Sequence, residues 1–308
     1  MIITPQTIKT LFTNYRQEFQ GALDAAPSDW NKVAMMVPSS TRTNTYGWLG
    51  QFPQFREWVG ERVINDMQAQ SYVIENKTYE STVGIARDDM EDDNLGIYAP
   101  MVQEMGRAAG TFPDEELIFP LFTAGFDTNC YDGKPFFSEA HPVYPNTDGT
   151  GSATNTSNLS KNRDTNDKPK KPRWYLLDMS RAVKPFIYQR REAPSFTQMT
   201  SLTDEAVFTS NQFRMGARAR GNGGFGLWQL AYASEQELTP DNFRAAFDAM
   251  RGFKADGGRP LGVKPTLLVC PPELEKQADQ ILKIDTLAGG GGNPNYQKAD
   301  VLSTVWLA

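Results

Sequence analysis

The side chain best suited to proton transfer is the one histidine of the chain, His141, set in the run DGKPFFSEAHP at 132–142. A Ser–His or Cys–His dyad needs a positioned base, so any such dyad here must use His141. It stands beside Pro142 in a segment dense in turn formers, which reads as a structural turn position. The two cysteines, Cys130 and Cys270, lie far apart. With a single histidine they make neither a zinc spacing nor a disulfide framework. The run GNGGFG at 221–226 is half of a dinucleotide fingerprint. It lacks the strand before, the helix after and the acidic residue about 20 positions on, and it reads as a turn between strands. No phosphate loop of the G-x-x-x-x-G-K-[ST] type occurs. The acidic cluster Asp88, Asp89, Glu91, Asp92 and Asp93 reads as a solvated helix start favoured by the helix dipole, not as a metal site. No catalytic, cofactor-binding or metal-binding residue is assigned, and no cofactor is expected. A cytosolic hydrolase using His141 stands only as an alternative.

Composition points the same way. Of the 308 residues, 39% are hydrophobic and 22% charged, enough to bury a real core. The formal charge is −6, from 31 basic and 37 acidic residues. A protein that grips nucleic acid usually carries a basic surplus, because phosphate neutralisation supplies most of the affinity. This chain has none. The opening MIITPQTIKTLF has no basic segment leading into an apolar run, so it is no signal peptide. No stretch nears the roughly 18–20 apolar residues that span a bilayer. Cytosolic production and no membrane partner are expected.

The elements follow from local pattern. Thr4-Pro5 pairs a capping hydroxyl with proline at the first helical position. Ile8, Leu11, Phe12, Tyr15, Phe19 and Leu23 then recur at spacings of three and four. That predicts an amphipathic helix ending near Ala26-Pro27. Residues 37–60 are rich in turn formers and aromatics, and SYVIENKTYESTVGI (71–85) alternates as a strand does. A second helical stripe runs from Asn94 to Thr123 through Tyr98, Met101, Met105, Ala108, Phe112, Phe119 and Phe122. Pro113 predicts a kink or break in it. Residues 145–172 hold one large apolar side chain, Leu159, and read as a surface excursion. Its basic residues, Lys161, Arg163, Lys168, Lys170 and Lys171, together with Arg173, read as solvated. Strands are expected from Trp174, near Ala206-Val207-Phe208, and from Phe225 to Ala233. Thr239-Pro240 repeats the helix start, and Asp256-Gly257-Gly258 should end that helix. Thr266–Cys270 is a buried strand, Pro271-Pro272 opens a further helix, and Ala299–Leu307 closes as a strand.

Three segments carry a family resemblance: LTPDNFRAAFDAMRGFKADGGRPLGVKPTLLVCPPELEKQADQIL (238–282), WYLLDMSRAVKPFIYQRREAP (174–194) and MGARARGNGGFGLWQLAYAS (215–234). DGKPFFSEAHP and the opening MIITPQTIKTLFTNYRQEFQGAL fit it too. Together they resemble the Mu-like prophage major head subunit, the gpT family of tailed-phage major capsid proteins. Their specificity lies in combination and order.

The resemblance implies an α+β, Hong Kong 97-type capsid fold. Residues 1–35 would be the N-terminal arm and 36–85 the extended loop (E-loop) with flanking strands. Residues 86–173 would be the peripheral domain (P-domain) with a long spine helix and a surface loop. Residues 174–290 would be the axial domain (A-domain), and 291–308 a strand returning to the peripheral domain. It implies self-assembly into hexamers and pentamers of an icosahedral shell in the virion, built in the host cytoplasm. Double-stranded DNA would be enclosed but not read by sequence, which suits a mildly acidic wall. A separate scaffold or protease, a portal and possibly decoration proteins would be partners. An encapsulin-like compartment shell is the main alternative. Interfaces favour aromatic and arginine anchors, so Trp48, Phe52, Phe55 and Trp58 are candidate contacts with a neighbouring subunit. Arg214, Arg218 and Arg220 are candidates for intersubunit ion pairs.

Overall fold

The computed structural model describes residues 4–49, 72–91, 98–164, 166, 169–201, 204–287 and 289–307. It opens with α1 (Pro5–Ala25). The Thr4 hydroxyl accepts the Thr7 N–H at 3.1 Å, and the Thr7 hydroxyl accepts the Thr4 N–H at 2.9 Å, a reciprocal capping box. The buried stripe is Ile8, Phe12, Tyr15 and Phe19, as the spacing predicts. Strands β1 (Ala34–Pro38), β2 (Thr43–Thr45), β3 (Val73–Glu75) and β4 (Lys77–Ala86) follow, then the short α2 (Arg87–Glu91).

The predicted second helix is α3 (Tyr98–Phe112). At Pro113 the chain changes to a π-helical turn (Pro113–Ile118) and then α4 (Pro120–Ala124), so the proline break falls where expected. Met101, placed in the predicted stripe, faces outward, and Val102 takes its place in the core. Helix α3 lies against α1 through two glycines. A Cβ on Gly106 would stand 2.4 Å from the Phe19 carbonyl oxygen, and one on Gly110 would stand 2.4 Å from the Ala26 Cβ. Close approach of the two backbones therefore requires glycine there.

The remaining elements are β5 (His141–Val143), β6 (Thr154–Thr156), β7 (Leu159–Ser160), β8 (Trp174–Leu177), β9 (Phe186–Met199) and α5 (Glu205–Ser210). After them come β10 (Gln212–Phe225), β11 (Ala231–Ser234), α6 (Pro240–Arg251), β12 (Leu267–Cys270), α7 (Glu275–Leu282) and β13 (Asp300–Ser303). Two larger sheets organise the fold, beside two two-stranded ones, β2-β3 and β5-β6. A four-stranded sheet runs β1-β9-β10-β4, and a five-stranded sheet runs β13-β12-β8-β11-β7. The small core between α1, α3 and the first sheet holds Phe12, Phe19, Val102, Phe213 and Met215. The larger core joins both sheets to the π turn, α4, α6 and α7.

Several expectations are corrected. The 221–226 run is no turn: Gly221–Phe225 is the end of β10, paired with β9. Its glycines are needed because a Cβ on Gly223 would stand 2.1 Å from the Leu117 carbonyl oxygen of the π turn. Residues 206–208 lie in α5, not a strand, with the Val207 N–H donating to the Asp204 carbonyl. Phe225–Ala233 is interrupted by a 3-10 turn at Trp228–Leu230. Helix α6 ends at Arg251 with Gly252 as its cap; Asp256–Gly258 is a separate 3-10 turn whose glycines take positive φ. The 145–172 excursion contributes β6 and β7, and Leu159 is buried on the edge of the five-stranded sheet.

The sheets also cross the anticipated domain limits. Within 174–290, β9 and β10 belong with β1 and β4, whereas β8, β11 and β12 form the other sheet. The closing strand β13 pairs parallel with β12, inside the sheet expected for the axial domain. The turn Val305–Leu307 reaches back to α4. Pairing between strands distant in sequence, which local periodicity does not encode, decides these placements.

Candidate functional site

The candidate assembly residues fall in three places. Trp48 follows β2 and packs partly buried against the larger core, edge-on to Tyr46 with ring centroids 6.3 Å apart. Phe52, Phe55 and Trp58 lie outside the described residues. The two ends of their segment are nevertheless fastened to one point. The Tyr46 N–H donates to the Tyr72 carbonyl at 2.8 Å. The Tyr46 hydroxyl donates to Gln189 Oε1 at 2.8 Å, and Gln189 Nε2 donates to the Ile74 carbonyl and to Asn76 Oδ1. Gln189, on β9, is fully buried, so its side chain reads as a rivet for the root of 50–71. Burial pushes the phenols of Tyr46 and Tyr72 up to about 12, so both are neutral at ordinary pH; the Tyr72 hydroxyl accepts the Phe225 N–H at 2.9 Å.

Arg214, Arg218 and Arg220 project from β10 at a period of two, opposite the buried Phe213, Met215, Ala217 and Ala219. Arg218 and Arg220 both reach Glu192 on β9, at 2.9 and 3.4 Å. The two guanidiniums are thus paired inside the chain. Arg214 is exposed, and its guanidinium approaches the Ser210 hydroxyl at 3.5 Å. Thr78, Glu80, Thr82, Ser195 and Thr197 share this face and are exposed or half-buried. The result is a broad, polar, three-stranded surface.

Large apolar side chains are also left in solvent. Phe208 on α5 is 87% exposed, Val305 65% and Trp306 37%. Single exposed apolar residues are common, but a phenylalanine so bare is unusual.

Sequence spacing missed two buried polar centres. In the first, Glu235 is wholly buried and receives Arg163 Nε at 2.9 Å and Arg173 Nη2 at 2.9 Å. Burial would raise its carboxyl, but the two guanidiniums outweigh that and hold it below the usual range. Arg163 and Arg173 are therefore not solvated loop residues, as expected from sequence, but pins for the 145–172 excursion. Lys161 and Lys171 pair with Glu139 and Glu237 at the surface.

The second centre gathers Cys130, Asp132 and His141, whose ligand-type atoms lie within 4.8 Å of one another. His141 Nδ1 is 2.7 Å from Asp132 Oδ2, and the Cys130 thiol donates to Asp132 Oδ1 at 3.2 Å. The ring stacks on Trp228, 4.0 Å away and nearly coplanar. Burial and the Asp132 carboxylate push the Cys130 thiol well up, the opposite of an activated nucleophile. Every polar atom of the three is engaged with another protein group, and His141 is wholly buried. The cluster is built as a satisfied network. The motif DGKPFFSEAHP contained two of its members, but nothing in the spacing reveals that Cys130 joins them.

Among the described residues no helix is long and apolar enough to cross a membrane. The sequence model of the Mu-like prophage major head subunit gpT matches residues 8–307. The major capsid protein of Escherichia phage Mu is 54% identical over 305 residues, covering 99% of this chain and 98% of that protein. The procapsid chain of bacteriophage JBD30 superimposes with a TM-score of 0.86 at 54% identity, covering 99% of this chain and all of that one. The chain of the JBD30 capsid decorated with minor capsid protein trimers superimposes with a TM-score of 0.75 at 39% identity, both chains covered in full.

Proposed function

Because the chain belongs to the Mu-like prophage major head subunit gpT family and is a major capsid protein of a tailed phage, we propose that it closes into an icosahedral shell of hexamers and pentamers around double-stranded DNA. It is a structural protein and not an enzyme. The observation that carries the proposal is the procapsid match, which extends over 99% of the chain at a TM-score of 0.86. Neither the compartment-shell reading nor the hydrolase reading is favoured beside it.

A closed shell needs heterologous contacts that come round into rings. One chain must then serve slightly different environments with a rigid body and adaptable extensions. The rigid body is the two-sheet core. The segment rooted at Tyr46, Tyr72 and Gln189 carries Phe52, Phe55 and Trp58, which we assign to contact with a neighbouring subunit. Trp48 belongs to its root. Arg214, exposed on the open sheet face, and Phe208, at the end of the β9–β10 pair, are further contacts in this reading. Arg218 and Arg220 would act there only by exchanging Glu192 for a neighbour's carboxylate.

Partners follow from the relatives. Minor capsid protein trimers decorate the JBD30 capsid, and a corresponding trimer is proposed to sit on this shell. A separate scaffold or protease and a portal complete the set, with assembly in the host cytoplasm. DNA is enclosed without sequence recognition; the net charge of −6 supports a wall that does not hold the genome tightly.

The test is to express the chain alone and with its neighbouring genes, and to image each by negative-stain electron microscopy. Closed shells, tubes or capsomer rings are expected. A uniform monomer under every condition, scaffold candidate included, overturns the shell-closing proposal.

A further inference from the structure

The environment of His141 dictates where its protons must be. Nε2 faces two oxygens, the Phe136 carbonyl at 3.3 Å and Asn158 Oδ1 at 3.2 Å. The orientation of Asn158 is set independently. Its Nδ2 donates to the Phe136 carbonyl at 2.8 Å and approaches the Trp228 and Ala231 carbonyls at 3.4 and 3.3 Å. Its Oδ1 accepts the Ser138 N–H at 2.8 Å. Turning the amide over would set NH₂ against N–H and oxygen against three carbonyls. Nε2 therefore has only acceptors before it and must carry a proton.

Nδ1 faces the Asp132 carboxylate at 2.7 Å. The other oxygen of that carboxylate accepts the Lys134 N–H at 3.0 Å and the Cys130 thiol at 3.2 Å. A lone pair on Nδ1 would oppose the negative charge. The Trp228 indole lies parallel to the ring at 4.0 Å, and such a face attracts a cation.

We infer that His141 is held as an imidazolium with both ring nitrogens donating, so that Asp132 and His141 form a buried, charge-assisted clasp. The clasp joins the tight turn at 130–134, strand β5 and, through Asn158 and Trp228, the margin of the five-stranded sheet. The titratable groups around the ring are Asp132, Cys130, Tyr131 held through Gln229, and Asp256, which accepts the Tyr144 N–H. Burial pushes the Cys130 thiol and the Tyr131 phenol up, so both stay neutral. Asp132 is the charge that faces the ring.

The chain has one histidine, so ¹⁵N-histidine labelling yields a spectrum of this ring alone. Solid-state ¹⁵N NMR is read on whatever assembly the wild-type chain forms, at neutral pH. Both ring nitrogens are expected at protonated positions. One nitrogen at the unprotonated position overturns the inference. A second measurement compares urea midpoints of the wild type and His141→Gln. The wild type should have the higher midpoint; equal midpoints overturn the clasp. Should His141→Gln fail to fold, the NMR result decides alone.

Discussion

Arg173 Nη2 and Glu235 Oε1 meet at 2.9 Å, the carboxylate wholly buried and the guanidinium mostly so. Arg163 approaches the same carboxylate from the far side of the 145–172 excursion. Removing one member of a buried ion pair strands the others without a counter-charge. Such losses run to about 3–5 kcal/mol, and both arginines keep a little solvent. Glu235→Gln should therefore cost about 3 kcal/mol, read as a lower urea midpoint of the isolated subunit. It should also speed proteolysis within 145–172. An unchanged midpoint would mean the excursion is held by β6 and β7 alone.

Acid sensitivity follows from the same carboxylate and from Asp132. Burial works against the Asp132 charge, but the His141 hydrogen bond and charge, with the Lys134 N–H and the Cys130 thiol, hold its carboxyl below the usual range. Glu235 is also depressed. A carboxyl with a lowered folded pKa adds stability above its unfolded value and loses it as pH falls through the folded one. Both contributions should therefore fade below the ordinary carboxylate range. Asp114 runs the other way: burial raises its carboxyl despite the bonds from Ser28 and Asp29, so acid relieves a cost there. Unfolding curves of wild type and Glu235→Gln should converge as pH falls. Parallel curves would contradict the assignment.

The α1–α3 contact depends on Gly106. A methyl group there would meet the Phe19 carbonyl oxygen at 2.4 Å. Glycine to alanine gains up to about 1 kcal/mol of helix propensity, while overpacking costs about 1–3 kcal/mol. The obstacle is backbone, which cannot swing aside, so the clash wins. Gly106→Ala should lower the melting temperature and expose α1 to limited proteolysis before the rest of the chain.

Phe208 offers a clean separation of folding from assembly. At 87% exposed, its replacement by serine should leave stability within about 0.5 kcal/mol. In the proposed reading the variant stays monomeric or forms few shells by electron microscopy. Normal shells from Phe208→Ser would remove this residue from the interface.

Trp58→Ala tests the proposed contact of residues 50–71 in the same way. Trp48 is a poorer probe, because it packs on the core of its own chain, and Trp48→Ala should lower subunit stability as well as assembly. The expected contrast is a folded, assembly-deficient Trp58→Ala and a destabilised Trp48→Ala, scored by urea midpoint and particle yield.

The local elements were legible because their causes are local. Thr4-Pro5 and Thr239-Pro240 cap helices with groups three residues away, and Pro113 interrupts its helix through its own missing N–H. The order of motifs along the chain was enough to identify the family. What tertiary structure alone decided are the long-range pairings. Gly221–Phe225 reads as a turn until β9 and Leu117 are beside it. Ala299–Leu307 reads as one strand, whereas Asp300–Ser303 is the part that pairs with β12 and Val305–Leu307 is a 3-10 turn. Arg163 and Arg173 look solvated because their counter-charge, Glu235, is more than 60 positions away, at separations of 72 and 62. Cys130, Asp132 and His141 meet only because a tight turn, a short strand and Trp228 converge. Periodicity and capping act within about one helical turn, whereas register and burial of charge depend on which surfaces the folded chain brings together.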